Sequence, residues 1–147
     1  MSETAEWGNV CSRVDTCALT GAAAFFTGIK GAEVLVNGPL WCYFYALRHL
    51  EKSNSRLGER FHGSQPDNNA VVYGTEECLT DALDYIRENR APSILLIENS
   101  CSVSLIGDDI EGIAAKAKLP FSVIGMDSCG LRGGFACLLY TSDAADE

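Results

Sequence analysis

A chain of 147 residues, 47% apolar and 21% charged, is one domain's worth, long enough for a real core and too apolar for a disordered segment. Its net charge of −9 argues against a nucleic-acid groove and against docking on an anionic membrane surface. No apolar run approaches the roughly 20 residues of a spanning helix, and Met1 to Asn9 is polar and acidic, unlike a secretory leader, so a cytoplasmic protein is expected.

Residues 1–10 show no periodic pattern and read as a loose lead-in. Asp15 or Thr16 can cap a helix that begins near Cys17 and runs through Phe26, over small residues that let a neighbour's backbone come close. Ala32 to Asn37 is a short strand ended by Gly38 and Pro39. Pro39 suits the first position of the next helix, Leu40 to about Lys52, which puts Cys42 in its first turn. Residues 53–68 read as a polar surface loop containing His62. Ala70 to Tyr73 reads as a second strand turned by Gly74.

Thr75, Glu76 and Glu77 form a cap and acidic first turn for a helix to about Asn89. Its inward face is Leu79, Ala82, Leu83 and Ile86, with Cys78 beside it. Ser93 to Glu98 is an Ile/Leu run bounded by turn residues, the pattern of a strand buried on both faces. The run breaks at Asn99 and Ser100, presents Cys101, and turns through Gly107 into a helix from about Asp108 to Lys118. Lys116 and Lys118 complement that helix's negative end. Pro120 to Gly125 is the fourth strand, followed by Asp127-Ser-Cys-Gly-Leu-Arg-Gly-Gly134.

Strand and helix alternating at this spacing predict an α/β fold: a doubly wound, mainly parallel sheet with helices on both faces. Right-handed crossovers place every strand's carboxyl end on one edge. Cys42, Cys101 and Cys129 each follow a different strand and so approach that edge together.

Seven cysteines, an odd number without an export signal, point away from disulfides and towards metal or redox chemistry, or plain packing. A Cys–His hydrolase needs a base, and the two histidines, His49 and His62, both lie in polar surroundings that read as solvated. A structural zinc site usually shows paired cysteines at short spacing, and none occurs here. An iron–sulfur cluster can be assembled from distant positions on a rigid scaffold, so that reading and the packing reading both stay open. Gly38, Gly74 and Gly107 precede helices, yet none belongs to a Walker-type loop. Arg132 with Gly133 and Gly134 is a weak anion hint, and no nucleotide site is assigned.

Four segments together resemble the first domain of the nitrogenase component 1 family, which includes the molybdenum–iron subunits, their cofactor-assembly paralogues and the protochlorophyllide reductase-like subunits. They are Cys17-Ala-Leu-Thr-Gly21 followed by Gly38-Pro-Leu-Trp-Cys42, then Val72-Tyr-Gly74, then Ser100-Cys101 running into Ile106-Gly-Asp-Asp109, and Cys129-Gly-Leu-Arg-Gly133. The Ile-Gly-Asp-Asp motif is the most specific of them.

The resemblance implies a Rossmann-like domain over residues 11–136, the N-terminal part of a longer protein. It implies that Cys17, Cys42 and Cys101 are ligands of an iron–sulfur cluster, of [4Fe-4S] or larger P-cluster type, at an interface shared with a homologous subunit in a homo- or hetero-dimer. Cys11 is an alternative ligand, and Cys17 takes the place that geometry alone gave to Cys129. An ATP-dependent iron–sulfur reductase would deliver electrons for relay to a substrate site. Asp108 and Asp109 are expected to cap a helix and lie at the interface. Trp41 departs from the family pattern, which commonly has glycine before the second cysteine, and the loop between these cysteines is shorter than in the nitrogenase subunits proper. A non-catalytic scaffold for metallocofactor assembly and a plain α/β binding domain with packing cysteines are the alternative functions.

The last eleven residues, Cys137 to Glu147, change character abruptly and resemble the in-frame translation of a transposase-type sequencing adapter. They are expected not to be native; the alternative is an acidic tail. Without them the chain has six cysteines and, with 11 basic and 17 acidic residues, a net charge of −6.

Overall fold

In the computed structural model, which describes residues 17–53 and 55–130, four parallel strands form one sheet in the order β2-β1-β3-β4. The chain runs α1 (Ala18–Gly28), β1 (Ala32–Asn37), α2 (Leu40–Leu50), a 3-10 turn (Leu57–Arg60), β2 (Phe61–Gly63) and α3 (Ala70–Tyr73). It continues through α4 (Glu76–Asn89), β3 (Ile94–Asn99), α5 (Cys101–Ile106), α6 (Ile110–Lys116) and β4 (Ser122–Met126). Among the described residues, no helix is long and apolar enough to cross a membrane.

The central strands explain the layering. Successive strand residues point to opposite faces, so a strand apolar at every position must be covered on both. Val34, Val36 and Leu96 pack with Leu19, Ala23 and Phe26 of α1 and Ala46 and Leu50 of α2. Leu35, Leu95 and Ile97 pack on the other face with Leu79, Leu83 and Ile86 of α4 and Ile110 and Ile113 of α6. The doubly wound α/β arrangement is therefore present, with its central strands covered on both faces. β1 and β3 are in register from Ala32 opposite Ile94 to Asn37 opposite Asn99, so both end at the same level. That shared end brings their following turns together.

The second strand is not where the residue pattern suggests. Ala70–Tyr73 is a single helical turn, and the strand is Phe61–Gly63, inside the stretch expected to be loop. Asp67 Oδ1 accepts the Ala70 N–H at 2.8 Å, and Gly74 ends the turn with a φ of 114°. Val72 and Tyr73 are 68% and 87% exposed, so no partner sheet face draws this run into extension. β2 is instead held by tertiary contacts. Phe61 is buried against Tyr43, with ring centroids 5.6 Å apart. Just before it, the Arg60 guanidinium donates to the Thr27, Ile29 and Ala32 carbonyls at 2.9, 3.2 and 3.3 Å, closing the C-terminal end of α1. Glu33 at the base of β1 receives His62 at 2.6 Å and Arg90 at 2.9 Å. His62 is thus a paired strand residue, not a solvated loop one.

The segment after β3 also differs. Cys101 opens a helix, α5, where a turn was expected, and Gly107 with φ 79° ends it before α6 begins. Asp109 caps α6, accepting the Gly112 N–H at 2.9 Å. At α1 the N-cap is Cys17 itself, whose side chain makes no capping bond. Asp15, Thr16, the lead-in at 1–10, Cys11, Arg132-Gly-Gly134 and the tail at 137–147 lie outside the described residues.

Candidate metal centre

Three thiols gather at the carboxyl edge of the sheet, each at the start of a helix. Cys17 is the exposed N-cap of α1, its Sγ 3.7 Å from Thr20 Oγ1. Cys42 lies in the first turn of α2, its N–H donating to the Pro39 carbonyl at 3.0 Å, and is half-buried. Cys101 is the exposed first residue of α5, one residue, Ser100, beyond the end of β3.

The backbone explains why the last two meet. Ser100 N–H donates to the Asn37 carbonyl at 3.0 Å, extending the β1–β3 pairing by one bond beyond the strands. At Gly38 a Cβ would overlap the Ser100 side chain, so the turn before Cys42 and the turn before Cys101 touch without a side chain between them. Gly130 closes the third side. Its N–H donates to Cys101 Sγ at 3.0 Å, and a Cβ there would stand 3.4 Å from that sulfur and 3.7 Å from Cys17 Cβ.

A hydrogen-bonded network sits behind the thiols. Asn37 Nδ2 donates to Thr75 Oγ1 at 3.0 Å and to Asn99 Oδ1 at 3.1 Å, and Asn37 Oδ1 accepts from Ser64 Oγ at 2.8 Å. Thr75 in turn donates to Asp108. The Ile-Gly-Asp-Asp motif therefore divides its work: Asp109 caps α6, while Asp108 reaches across to the start of α4. Ser104 Oγ bonds Asp127 Oδ1, fastening α5 to the segment after β4.

The electrostatics suit a cation between the sulfurs. Burial pushes the Cys42 thiol up, and the negative charges of Cys17 and Cys101 push it further. Three thiolates at this spacing repel one another, and a cationic centre bound by all three removes that repulsion. Among the described residues, no three Cys, His, Asp or Glu side chains are gathered as ligands of one metal ion. An iron–sulfur cluster would instead be held by cysteine thiolates drawn from separate chain positions, here Cys17, Cys42 and Cys101. The donor set, the open glycine contacts and the amide directed at Cys101 fit such a group.

Other sequence candidates fall elsewhere. Cys129 follows β4 as expected but is buried, and Cys78 is half-buried on α4. Of the histidines, His62 is bound to Glu33, and His49 lies near the end of α2, two turns beyond Cys42. Residue patterns missed Gly130, Thr75, Asn37 and above all Glu98, a fully buried carboxyl at the end of β3. A lone acid closing an Ile/Leu strand was the signal available for it. Around Cys42 the surface is unusually apolar. Trp41 and Tyr45 are 63% and 65% exposed and stack on each other with centroids 6.0 Å apart, and Leu40 and Phe44 are exposed beside them.

Comparison with known proteins bears on this geometry. The family model for the nitrogenase component 1 type oxidoreductases matches residues 17–136. The chain is 29% identical over 130 residues to the nitrogenase iron-molybdenum cofactor biosynthesis protein NifE of Clostridium pasteurianum, covering 86% of this chain and 28% of that protein. It is 33% identical over 110 residues to the nitrogenase molybdenum-iron protein alpha chain of Methanosarcina barkeri, covering 69% of this chain and 20% of that one. A solved structure titled "Nitrogenase Cp1 at pH 6.5" superposes with a TM-score of 0.76 over 84% of this chain and 28% of its own, and at 20% identity that likeness is one of fold. The chain spans about a quarter of the length of these relatives. With the family match beginning at Cys17 and running through all three thiol-bearing junctions, this chain belongs to the nitrogenase component 1 type oxidoreductase family.

Proposed function

We propose that this chain is the first domain of a nitrogenase-like oxidoreductase subunit, in which Cys17, Cys42 and Cys101 hold part of an iron–sulfur cluster. The observation that carries the reading is the meeting of three thiols at one sheet edge, with the Gly130 N–H directed at the Cys101 sulfur. When bound, a cluster of [4Fe-4S] or P-cluster type supplies one-electron redox chemistry, its potential set by burial and by hydrogen bonds to its sulfurs. The protein's part is positional. α1, α2 and α5 fix the three sulfurs, Gly130 donates to one of them, and the Asn37–Thr75–Asp108 network holds the junctions behind them.

The remaining ligand comes from a homologous subunit that closes over the thiols. The exposed Leu40, Trp41, Phe44 and Tyr45 form the apolar surface for that contact. An ATP-dependent iron–sulfur reductase delivers the electrons, which are relayed to a substrate site outside this domain. Neither nucleic acid nor a membrane enters this reading. Residues 11–136 are the native domain and 137–147 are foreign to it, which resequencing the gene beyond codon 136 tests.

A second reading, an assembly scaffold that carries a metallocofactor for another enzyme, is favoured by the likeness to NifE proteins of several organisms. Anaerobic reconstitution with iron and sulfide, followed by iron counting, tests the site for both readings: Cys101→Ala loses iron relative to the parent, and equal iron in the two overturns it. Turnover of the full-length protein with the reductase and ATP then separates enzyme from scaffold.

A further inference from the structure

Glu98, the penultimate residue of β3, lies three residues before Cys101 and is completely excluded from solvent. By strand alternation it lies on the face that carries Leu96 and Val36. Its Oε2 accepts from Ser128 Oγ at 2.9 Å, and among the described residues its Oε1 has no hydrogen-bond partner. Buried polar atoms are nearly always partnered, so a core carboxyl with one bare oxygen calls for a reason. Burial pushes its pKa up to about 8, with the Ser128 bond acting in the opposite direction.

Among the described residues, no cation offsets this burial. β1 and β4 place Val36 and Met126 opposite Glu98. The one charged residue of β1, Glu33, sits at the far end of the sheet with His62 and Arg90. β4 carries no titratable side chain, and Asp127 just beyond it accepts from Ser104. α1 has none between Ala18 and Gly28, its cap being Cys17. α2 brings Cys42 to this layer, while its Tyr43 stacks on Phe61 and its Arg48 pairs with Glu51. α5 adds Cys101. Among the described residues, the ionisable groups at this end of the face are therefore Cys17, Cys42, Cys101, Asp127 and the buried Cys129 beside Ser128, with His49 further along α2.

Glu98 and Cys101 also grip the same three residues. Ser128 is bonded to Glu98 Oε2, and Gly130, two residues on, donates to Cys101 Sγ at 3.0 Å. A change of charge on either group acts on the segment that the other holds, across a dry interior where charges interact strongly.

We propose that Glu98 is a proton-holding group coupled to the thiol site, taking up a proton when negative charge arrives beside Cys101 and releasing it when that charge leaves. This rests on the reading that the thiols carry a cluster. Above about pH 8, where the Glu98 carboxyl is ionised, the coupling would balance without a further reactant: an electron given to a thiol-held cluster by a low-potential one-electron reductant would be matched by one proton from solvent on the Glu98 carboxylate. The reverse returns both. Glu98 acts as a positioning group for charge and does not touch the metal.

The test uses the whole 147-residue chain and two measurements. In the metal-free protein, a carboxyl resonance of carbon-13-labelled glutamate that is missing from Glu98→Gln titrates near pH 8; titration in the ordinary carboxylate range overturns the proposal. After anaerobic reconstitution, the midpoint potential is followed on both sides of pH 8. Above that value it falls by up to about 59 mV per pH unit, the tenfold change in proton activity converted at one electron. Glu98→Gln, neutral and of the same shape, gives a flat profile. Ser128→Ala removes a bond that favours the ionised carboxyl, so the break moves to higher pH. A Glu98→Gln protein with parental iron and an unchanged slope overturns the coupling and leaves the cluster reading standing. A parent chain that binds no iron overturns that reading and the coupling with it.

Discussion

Asp108 accepts two hydrogen bonds from Thr75 on one carboxylate oxygen, from the backbone N–H at 2.7 Å and from the hydroxyl at 2.6 Å. Thr75 is buried, and its Oγ1 also accepts from Asn37 at the end of β1, so one carboxylate ties the start of α4 and the end of β1 to the junction after α5. Asp108→Ala leaves the buried Thr75 donors bare. The expected loss is about 2 kcal/mol, the usual scale for hydrogen bonds to a charged group. Denaturant unfolding measures it, and Asp108→Asn, which keeps an acceptor, loses less. Equal stability of the three proteins would show that the network holds nothing in place.

Gly38 and Gly28 make a matched pair for testing the close approach of the two cysteine-bearing turns. At Gly38 a methyl overlaps Ser100, so Gly38→Ala costs roughly 1–3 kcal/mol by overpacking and lowers iron uptake on reconstitution. At Gly28, the last residue of α1, nothing lies within 4 Å of the added carbon. Gly28→Ala raises stability by up to about 1 kcal/mol, because alanine is the better helix former. The comparison needs only two melting curves.

Glu98 also sets how stability depends on pH. Its folded pKa of about 8 lies above the unfolded value of 4.5, so the folded state holds the proton more tightly. Stability from this group is complete below pH 4.5, declines as pH rises and the unfolded chain ionises first, and is fully lost once pH passes 8. The loss amounts to a few kcal/mol at about 1.4 kcal/mol per pKa unit. Glu98→Gln removes that decline, and the variant overtakes the parent in alkaline buffer. An identical pH profile for both proteins would mean that the Glu98 carboxyl ionises normally in the fold.

The exposed stack of Trp41 on Tyr45 gives a test of the subunit contact. Replacing both with serine changes the stability of the isolated domain by no more than about 0.5 kcal/mol, the range of ordinary surface changes. In the full-length protein the same pair weakens subunit association, read by sedimentation. Unchanged association places the partner on another surface.

What the residue pattern could reveal followed the strength of its periodicity. The Ile/Leu run from Ile94 to Ile97 and the Leu79, Leu83, Ile86 face of α4 were legible because each is a consistent pattern with one structural solution. β2 was not, because three residues carry little pattern, and what makes them a strand is Phe61 packing on Tyr43 with Arg60 and His62 bound to distant partners. Ala70–Tyr73 misled for the opposite reason: its residues favour strands, yet no sheet face receives them. At the site, strand ends predicted Cys42 and Cys101 from topology alone. Cys17 needed the resemblance, since it precedes the first strand, and Gly130 and Glu98 matter through contacts between segments that no local pattern encodes.

The three thiols sit at the starts of helices whose positions depend on β1 pairing with β3, strands whose paired residues Asn37 and Asn99 are 62 positions apart. Such non-local pairing forms late relative to local helices. The core around Val34, Leu96 and Phe26 is built from apolar side chains, and none of the three candidate ligands is among its buried members. A zinc finger is the opposite case, where the ion supplies the folding free energy. A chelator is therefore expected to strip a bound centre and leave the sheet standing, which far-UV circular dichroism before and after chelation checks.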